Sequence, residues 1–168
     1  MSTKLPEALI ASSCSKNFAM YRDRAGAITL ISPSADEHTK NASHMLGAVR
    51  ANYSMPPDHG AAVVAHILGT EDLREEWISE VNEMRNRVKK MRTLFVSQMK
   101  EKAPNSGFGY IEGLNGMFSY LTLSEDQIQT LIKDHSIFFM ANGRVNMAGL
   151  TEANMDYVTD AIASLFNT

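Results

Sequence analysis

The sequence predicts an α/β chain: short strands and helices first, one long helix in the middle, and an α+β region at the end. Three observations carry that reading. Two short apolar runs, EALIASS and AGAITLI, flank residues 14–24. An apolar stripe recurs every four or three residues from Trp77 to Phe95. After the segment APNSG, glycine turn signals break the pattern into short strands alternating with capped helices.

Glu7–Ser13 suits a buried strand feeding a turn, and Ala25–Ile31 suits a second. The segment between them is therefore a strand–turn–helix or a strand–loop–strand connection. Ser34 and Glu37 have capping-box spacing and open a helix toward Asn52, which Pro56 and Pro57 prevent from continuing. Gly60–Leu68 is apolar around most of its circumference, the signature of a buried helix, and Gly69 stops it. Thr70 can cap the next helix, with Glu71 and Asp72 favourably placed against its dipole. Along it, Trp77, Val81, Met84, Val88, Met91 and Phe95 form one apolar face. About thirty residues at 1.5 Å each give a rod of roughly 45 Å. Arg85, Arg87, Lys89, Lys90 and Arg92 would occupy its solvated faces. Phe108–Leu123, punctuated by Gly113 and Asn115-Gly116, reads as a hairpin or two short strands. Ser124 and Gln127 box the start of another helix, Ile137–Ala141 reads as a short strand, and Thr151 opens a final helix through Phe166.

The chain has 168 residues, 44% of them hydrophobic and 21% charged, an ordinary globular mix. A net charge of −3 supplies no basic footprint for nucleic acid. No apolar run approaches the roughly 20 residues of a membrane span, and no signal-peptide pattern opens the chain. With the single cysteine Cys14 these features predict a cytoplasmic protein. The eleven methionines are expected to fill core gaps. The five histidines lack ligand spacing, so no metal is expected.

Chemistry concentrates in SSCSKNFAMYRDRAG, residues 12–26. A lysine amine can bond covalently to a carbonyl carbon. Arg24, eight residues beyond Lys16, can grip a phosphate through paired hydrogen bonds, and Ser13 can add a hydroxyl. An amine beside a phosphate clamp is what pyridoxal phosphate requires. On spacing alone a solvated surface loop is the favoured reading.

Four words, SCSKNFAMYRDRAG, VRANYSMPPDHGA, LNGMFSY and ANGRVNMAGLT, resemble in order and spacing the class I aspartate and aromatic-amino-acid aminotransferases, fold-type I pyridoxal phosphate (PLP) enzymes. The likeness runs from about Ala8 to Phe166. It implies that Lys16 carries PLP covalently and moves the substrate proton, that Arg24 and Ser13 hold the cofactor phosphate, and that Arg144 grips the substrate α-carboxylate. Phe118 matches an aromatic wall of the substrate pocket. Arg50 matches an arginine that reaches into the partner's site of a homodimer to pair with a substrate side-chain carboxylate, and Ser54 matches a serine on the partner's cofactor phosphate. The positions Cys14, Ala19 and Met55 depart from the family's usual tyrosine, glycine and asparagine, and bear on substrate preference more than on reaction type. The resemblance implies PLP-dependent transamination between an L-amino acid, aspartate or aromatic, and a 2-oxoacid such as 2-oxoglutarate.

In that family a long segment precedes the lysine and supplies most of the large-domain sheet, the ring that stacks on the cofactor and the aspartate that pairs with its pyridine nitrogen. The resemblance therefore implies the C-terminal portion of such an enzyme. Residues 1–70 would end the PLP-binding large domain, 71–102 would form a connecting helix, and 103–168 a small α+β domain. Isolated, such a chain is expected to be inactive; the alternative is a non-catalytic remnant acting only as an association or complementation partner.

Overall fold

The computed structural model describes residues 5–166. The outer residues of the first and last expected domains, 1–4 and 167–168, lie outside them. The chain forms two compact units, one up to Ser79 and one from Glu80 onward.

In the first unit, β1 (Ala8–Ser13) and β2 (Gly26–Ile31) pair antiparallel, from Ala8 opposite Ile31 to Ser13 opposite Gly26. The connection is thus strand–loop–strand. Directly opposed residues share a face, so Leu9, Ala11, Ile28 and Leu30 line one side while Ile10 and Ile31 line the other. Both faces are apolar, the pattern of a strand covered on both sides. Next come α1 (Ala35–Asn52) and α2 (His59–Gly69). The Ser34 hydroxyl accepts from the Glu37 amide and starts α1 as its spacing predicts. The expectation that the apolar helix near Gly60–Leu68 is buried fails: in α2 only Gly60 is buried. Among the described residues of this unit only Ser15, Met20 and Gly60 are buried, because a two-stranded ribbon offers too little surface to enclose a helix that is apolar all round.

The long helix α3 (Glu71–Lys102) runs where the stripe places it. Met91 and Phe95 are buried as expected, whereas Met84, in the same stripe, is exposed. Arg92 corrects the reading of the charged faces: it is 2% exposed, not solvated.

In the second unit, Phe95 and Met99 of α3 meet Phe108, Ile111, Leu131 and Ile162 in one core. The Phe108 ring packs at 6.1 Å from Phe95 and edge-on at 5.7 Å from Phe166. Phe108–Gly113 is a 3₁₀ helix rather than a strand, which leaves only β3 (Phe118–Tyr120) from the expected hairpin. Glycines at 107, 109 and 113 and the alternation of buried Phe108 with buried Ile111 at i, i+3 suit the tighter helix. No strand forms at Ile137–Ala141. The strand that pairs with β3 is β4 (Arg144–Asn146), because Gly143 turns the chain just before it. Between them lies α4 (Glu125–His135), boxed by Ser124 and Gln127 as expected. Thr151 and Asn154 box the start of α5 (Glu152–Ser164). The methionines divide: Met99, Met147 and Met155 are core, while Met55 and Met140 are exposed. No helix among the described residues is long and apolar enough to cross a membrane.

Two predictions follow from this packing. Phe95→Ala is expected to destabilise the second unit by about 3–5 kcal/mol in urea unfolding, since it opens a cavity in the aromatic cluster. Lys90, through its hydrogen bond and charge, holds the Glu152 carboxyl below its ordinary value. A lowered folded-state value makes this contribution fully present above the unfolded carboxylate range and lost as pH falls through the folded value. Lys90→Met is therefore expected to raise the Glu152 midpoint in an NMR titration.

Candidate active site

The first cluster is built on the end of β1. Side chains on a strand recur every second residue, so Ser13 and Ser15 project the same way past the last rung of the ladder. The Ser13 and Ser15 hydroxyls are hydrogen-bonded at 3.0 Å, and the Ser15 amide donates back to the Ser13 hydroxyl at 3.2 Å. From the far end of the loop, an Arg24 guanidinium nitrogen donates to the Ser15 hydroxyl at 3.3 Å and to the Tyr21 carbonyl at 3.4 Å. The Cys14 amide to the Ala25 carbonyl, 3.0 Å, closes the loop's neck. Ser15 is buried, whereas Ser13, Lys16 and Arg24 are exposed.

Lys16 directly follows Ser15, and its Nζ lies 3.9 Å from the centre of the Tyr21 ring, where an aromatic face attracts a cation. The next two residues are pinned by the start of α3. The Trp77 indole N–H donates to the Asn17 carbonyl at 2.7 Å, and its ring stacks on Phe18 at 4.6 Å. Two non-glycine residues of the loop, Ala19 and Arg24, have φ of 54°, in the left-handed region. The tight path that brings Arg24 back to Ser15 is thus held by side chains in an unfavourable backbone conformation.

Arg50 and Ser54 lie together at the C-terminal end of α1, both exposed. Ser54 has φ of 64° and donates its amide to the Val49 carbonyl at 3.2 Å, which ends the helix. Arg50 sits in the last turn, where a cation suits the helix dipole.

The second unit carries the remaining candidates on one face of the β3–β4 ribbon. Phe118 opposes Asn146 and Tyr120 opposes Arg144, so these four side chains share a face. Ser119 and Val145 point the other way, and Ser119 is 1% exposed. Phe118 and Arg144 are diagonal neighbours, and the guanidinium carbon lies 4.9 Å from the ring centre. Gly143 sets the strand's start: at φ 75°, an added Cβ would come within 2.3 Å of the Leu121 carbonyl oxygen. That carbonyl approaches so closely because the Leu121 amide donates to Gly143 at 2.9 Å.

Two hydroxyls and a guanidinium that converge on Ser15, with a lysine as the next residue, suit the oxygens of a phosphate and the carbonyl carbon of the molecule that carries it. The residues present therefore fit a phosphorylated aldehyde such as PLP. A partly buried guanidinium stacked on a ring suits a planar carboxylate. Sequence reasoning brought out Ser13, Lys16 and Arg24 but missed Ser15, the residue on which the cluster closes; the serine spacing of SCS was the available signal. Among the described residues no group of three His, Cys, Asp or Glu is placed to hold a metal ion.

Residues 2–162 match the family model for aminotransferase class I and II. The chain is 44% identical over 159 residues to the aspartate aminotransferase of Salmonella typhi, an alignment covering 95% of this chain and 40% of that protein. Against the aromatic-amino-acid aminotransferase of Pseudomonas aeruginosa identity is 39% over 162 residues, covering 96% and 41%. The fold is similar to a crystal structure of the Burkholderia pseudomallei aromatic-amino-acid aminotransferase covalently bound to pyridoxal phosphate, with a TM-score of 0.84 and 37% identity over 96% of this chain and 40% of that one. It is also similar to the psychrophilic aromatic amino acids aminotransferase of Psychrobacter sp. B6 cocrystallised with aspartic acid, with a TM-score of 0.86 and 34% identity over 99% and 42%. The chain spans about 40% of the length of the curated relatives it matches.

Glycine is the residue that tolerates the left-handed conformation held by Ala19. Ala19→Gly is expected to stabilise the first unit by about 1 kcal/mol, the relief of an alanine at positive φ less the entropy glycine loses on folding, measured by urea unfolding.

Proposed function

Because the chain belongs to the class I and II aminotransferases, we propose that it serves PLP-dependent transamination between an L-amino acid, aspartate or aromatic, and a 2-oxoacid such as 2-oxoglutarate. The observation that carries this reading is the bonding of Ser13, Ser15 and Arg24 around one point next to Lys16. Arg24 and the two serines hold the cofactor's phosphate. The Lys16 amine would hold the cofactor through its carbonyl carbon and would move the proton at the substrate α-carbon. PLP supplies an electron sink for the bond broken at that carbon. Arg144 clamps the α-carboxylate with two parallel N–H donors, and Phe118 walls the pocket beside it. Arg50 and Ser54 act across a homodimer, Arg50 on a second substrate carboxylate and Ser54 on the partner's cofactor phosphate. The aspartate and aromatic relatives support both substrate classes.

Residues 1–70 then belong to the PLP-binding large domain, 71–102 to a connecting helix and 103–168 to a small domain. The 168-residue chain alone is inactive and works when joined by the remaining part of an aminotransferase. A second reading, a non-catalytic association partner, draws on the exposed Leu9, Ile10 and Ile28 of the β1–β2 ribbon.

The test is complementation. Coexpression with the N-terminal portion of the Salmonella relative is expected to give aspartate or phenylalanine turnover that the chain alone lacks. Lys16→Ala should lower that turnover on the order of 10⁴-fold. Borohydride reduction of the complemented protein with PLP should leave a pyridoxyl group on Lys16 by mass spectrometry. Association without turnover, with no mark on Lys16, would favour the second reading.

A further inference from the structure

Arg92 is the one charged side chain among the described residues to be buried, at 2% exposure. It belongs to the solvent-facing pattern of α3 by sequence, yet it lies against the core. A buried guanidinium is costly, and a hydrophobic side chain of like volume is often as stable or more so. Burial indeed pulls Arg92 below the ordinary arginine value. Its structural return is one bond, from a guanidinium nitrogen to the Gly116 carbonyl at 2.7 Å.

That carbonyl belongs to the turn that launches β3. Gly116 has φ of 82°, with open space where a Cβ would stand. The next residue, Met117, receives the Met147 amide at 2.8 Å, and Phe118 follows opposite Asn146. The bond therefore sits at the open end of the ribbon, the end without the Leu121–Gly143 closure. A second guanidinium of α3 secures the 3₁₀ turn Met147–Gly149 that follows β4 at that same end: Arg87 donates to the Ala148 carbonyl at 3.1 Å and the Leu150 carbonyl at 2.8 Å. Phe118 lies just inside this end, and the guanidinium carbon of Arg144, whose residue starts β4 at the other end, lies 4.9 Å from the Phe118 ring centre.

We propose that Arg92 is a positioning residue for carboxylate recognition: by holding the Gly116 carbonyl it sets the Phe118 ring, and through the ring the plane of the Arg144 guanidinium. A neutral side chain would fill the same volume but leave the turn carbonyl without its directed donor. The proposal rests on the reading of Arg144 as the carboxylate grip, and the two separate experimentally.

Two readouts on the 168-residue chain decide it. The Arg144 guanidinium carbon lies over the Phe118 ring, so its Nε–H proton is expected to carry a ring-current shift, whose size Phe118→Leu defines. Arg92→Met is expected to abolish at least half of that shift, while α5 amides such as Ile162 stay in place. Arg92→Lys, which can still donate to the carbonyl, should keep more of it. Gly116→Ala disturbs the same bond from the turn, without touching the core, and should move the resonance likewise, so it decides alone if Arg92→Met does not fold. Titration with succinate is the second readout: Arg92→Met should weaken binding at Arg144 about two- to thirtyfold, the range of coupling through packed neighbours. An unmoved Arg144 resonance in the folded Arg92→Met and Gly116→Ala chains overturns the proposal. So does unchanged succinate affinity in Arg92→Met while Arg144→Lys lowers it. If Arg144→Lys itself binds succinate as the parent does, the carboxylate reading of Arg144 fails, and the ring-current result still judges whether Arg92 positions the pair.

Discussion

The hydroxyl of Ser15 is the point on which the first unit's chemistry depends. It is buried, bonded to Ser13 at the end of β1 and to Arg24 two residues before β2. The twelve residues between the two strands are thus drawn together by one small polar group and by the Cys14–Ala25 bond beneath it. A buried hydroxyl without partners would be costly, so the group that closes the loop also obliges the guanidinium to be there. Lys16 is carried on the next residue, and its placement is a consequence of that closure.

The second unit solves a different problem by similar means. Its ribbon is only three residues a side, too short to hold a side chain in register by its own ladder. Core packing from Ser119 and Val145 supports one face, and donors from α3 and from the Tyr110 hydroxyl, which bonds the Tyr120 carbonyl, secure the backbone. Phe118 and Arg144 are left on the outer face, where a guanidinium stacked on a ring can meet a carboxylate. The chain that carries both clusters belongs to the class I and II aminotransferases.

Where the local signal was strong, the residues announced their structure. Ser124 with Gln127 boxed a helix because both bonds form within four residues, and the 77–95 stripe announced a long helix because its period is a property of the helix alone. Ile137–Ala141 misled because a short apolar run does not say what it will pair with; the partner of β3 was chosen by the left-handed turn at Gly143. Phe108 and Ile111 are equally compatible with a strand or a tight helix until the core that receives both is known.

The sequence by itself determined the family, through four motifs whose order and spacing chance does not supply. It also determined the starts of α1, α4 and α5, since a cap is a contact between near neighbours. Tertiary structure alone decided that Ser15 closes the loop and that Arg92 leaves the solvated face for the core. Both outcomes join groups far apart in the chain or depend on what surrounds them, and no local pattern encodes the cost of burying a charge or the carbonyl that receives it.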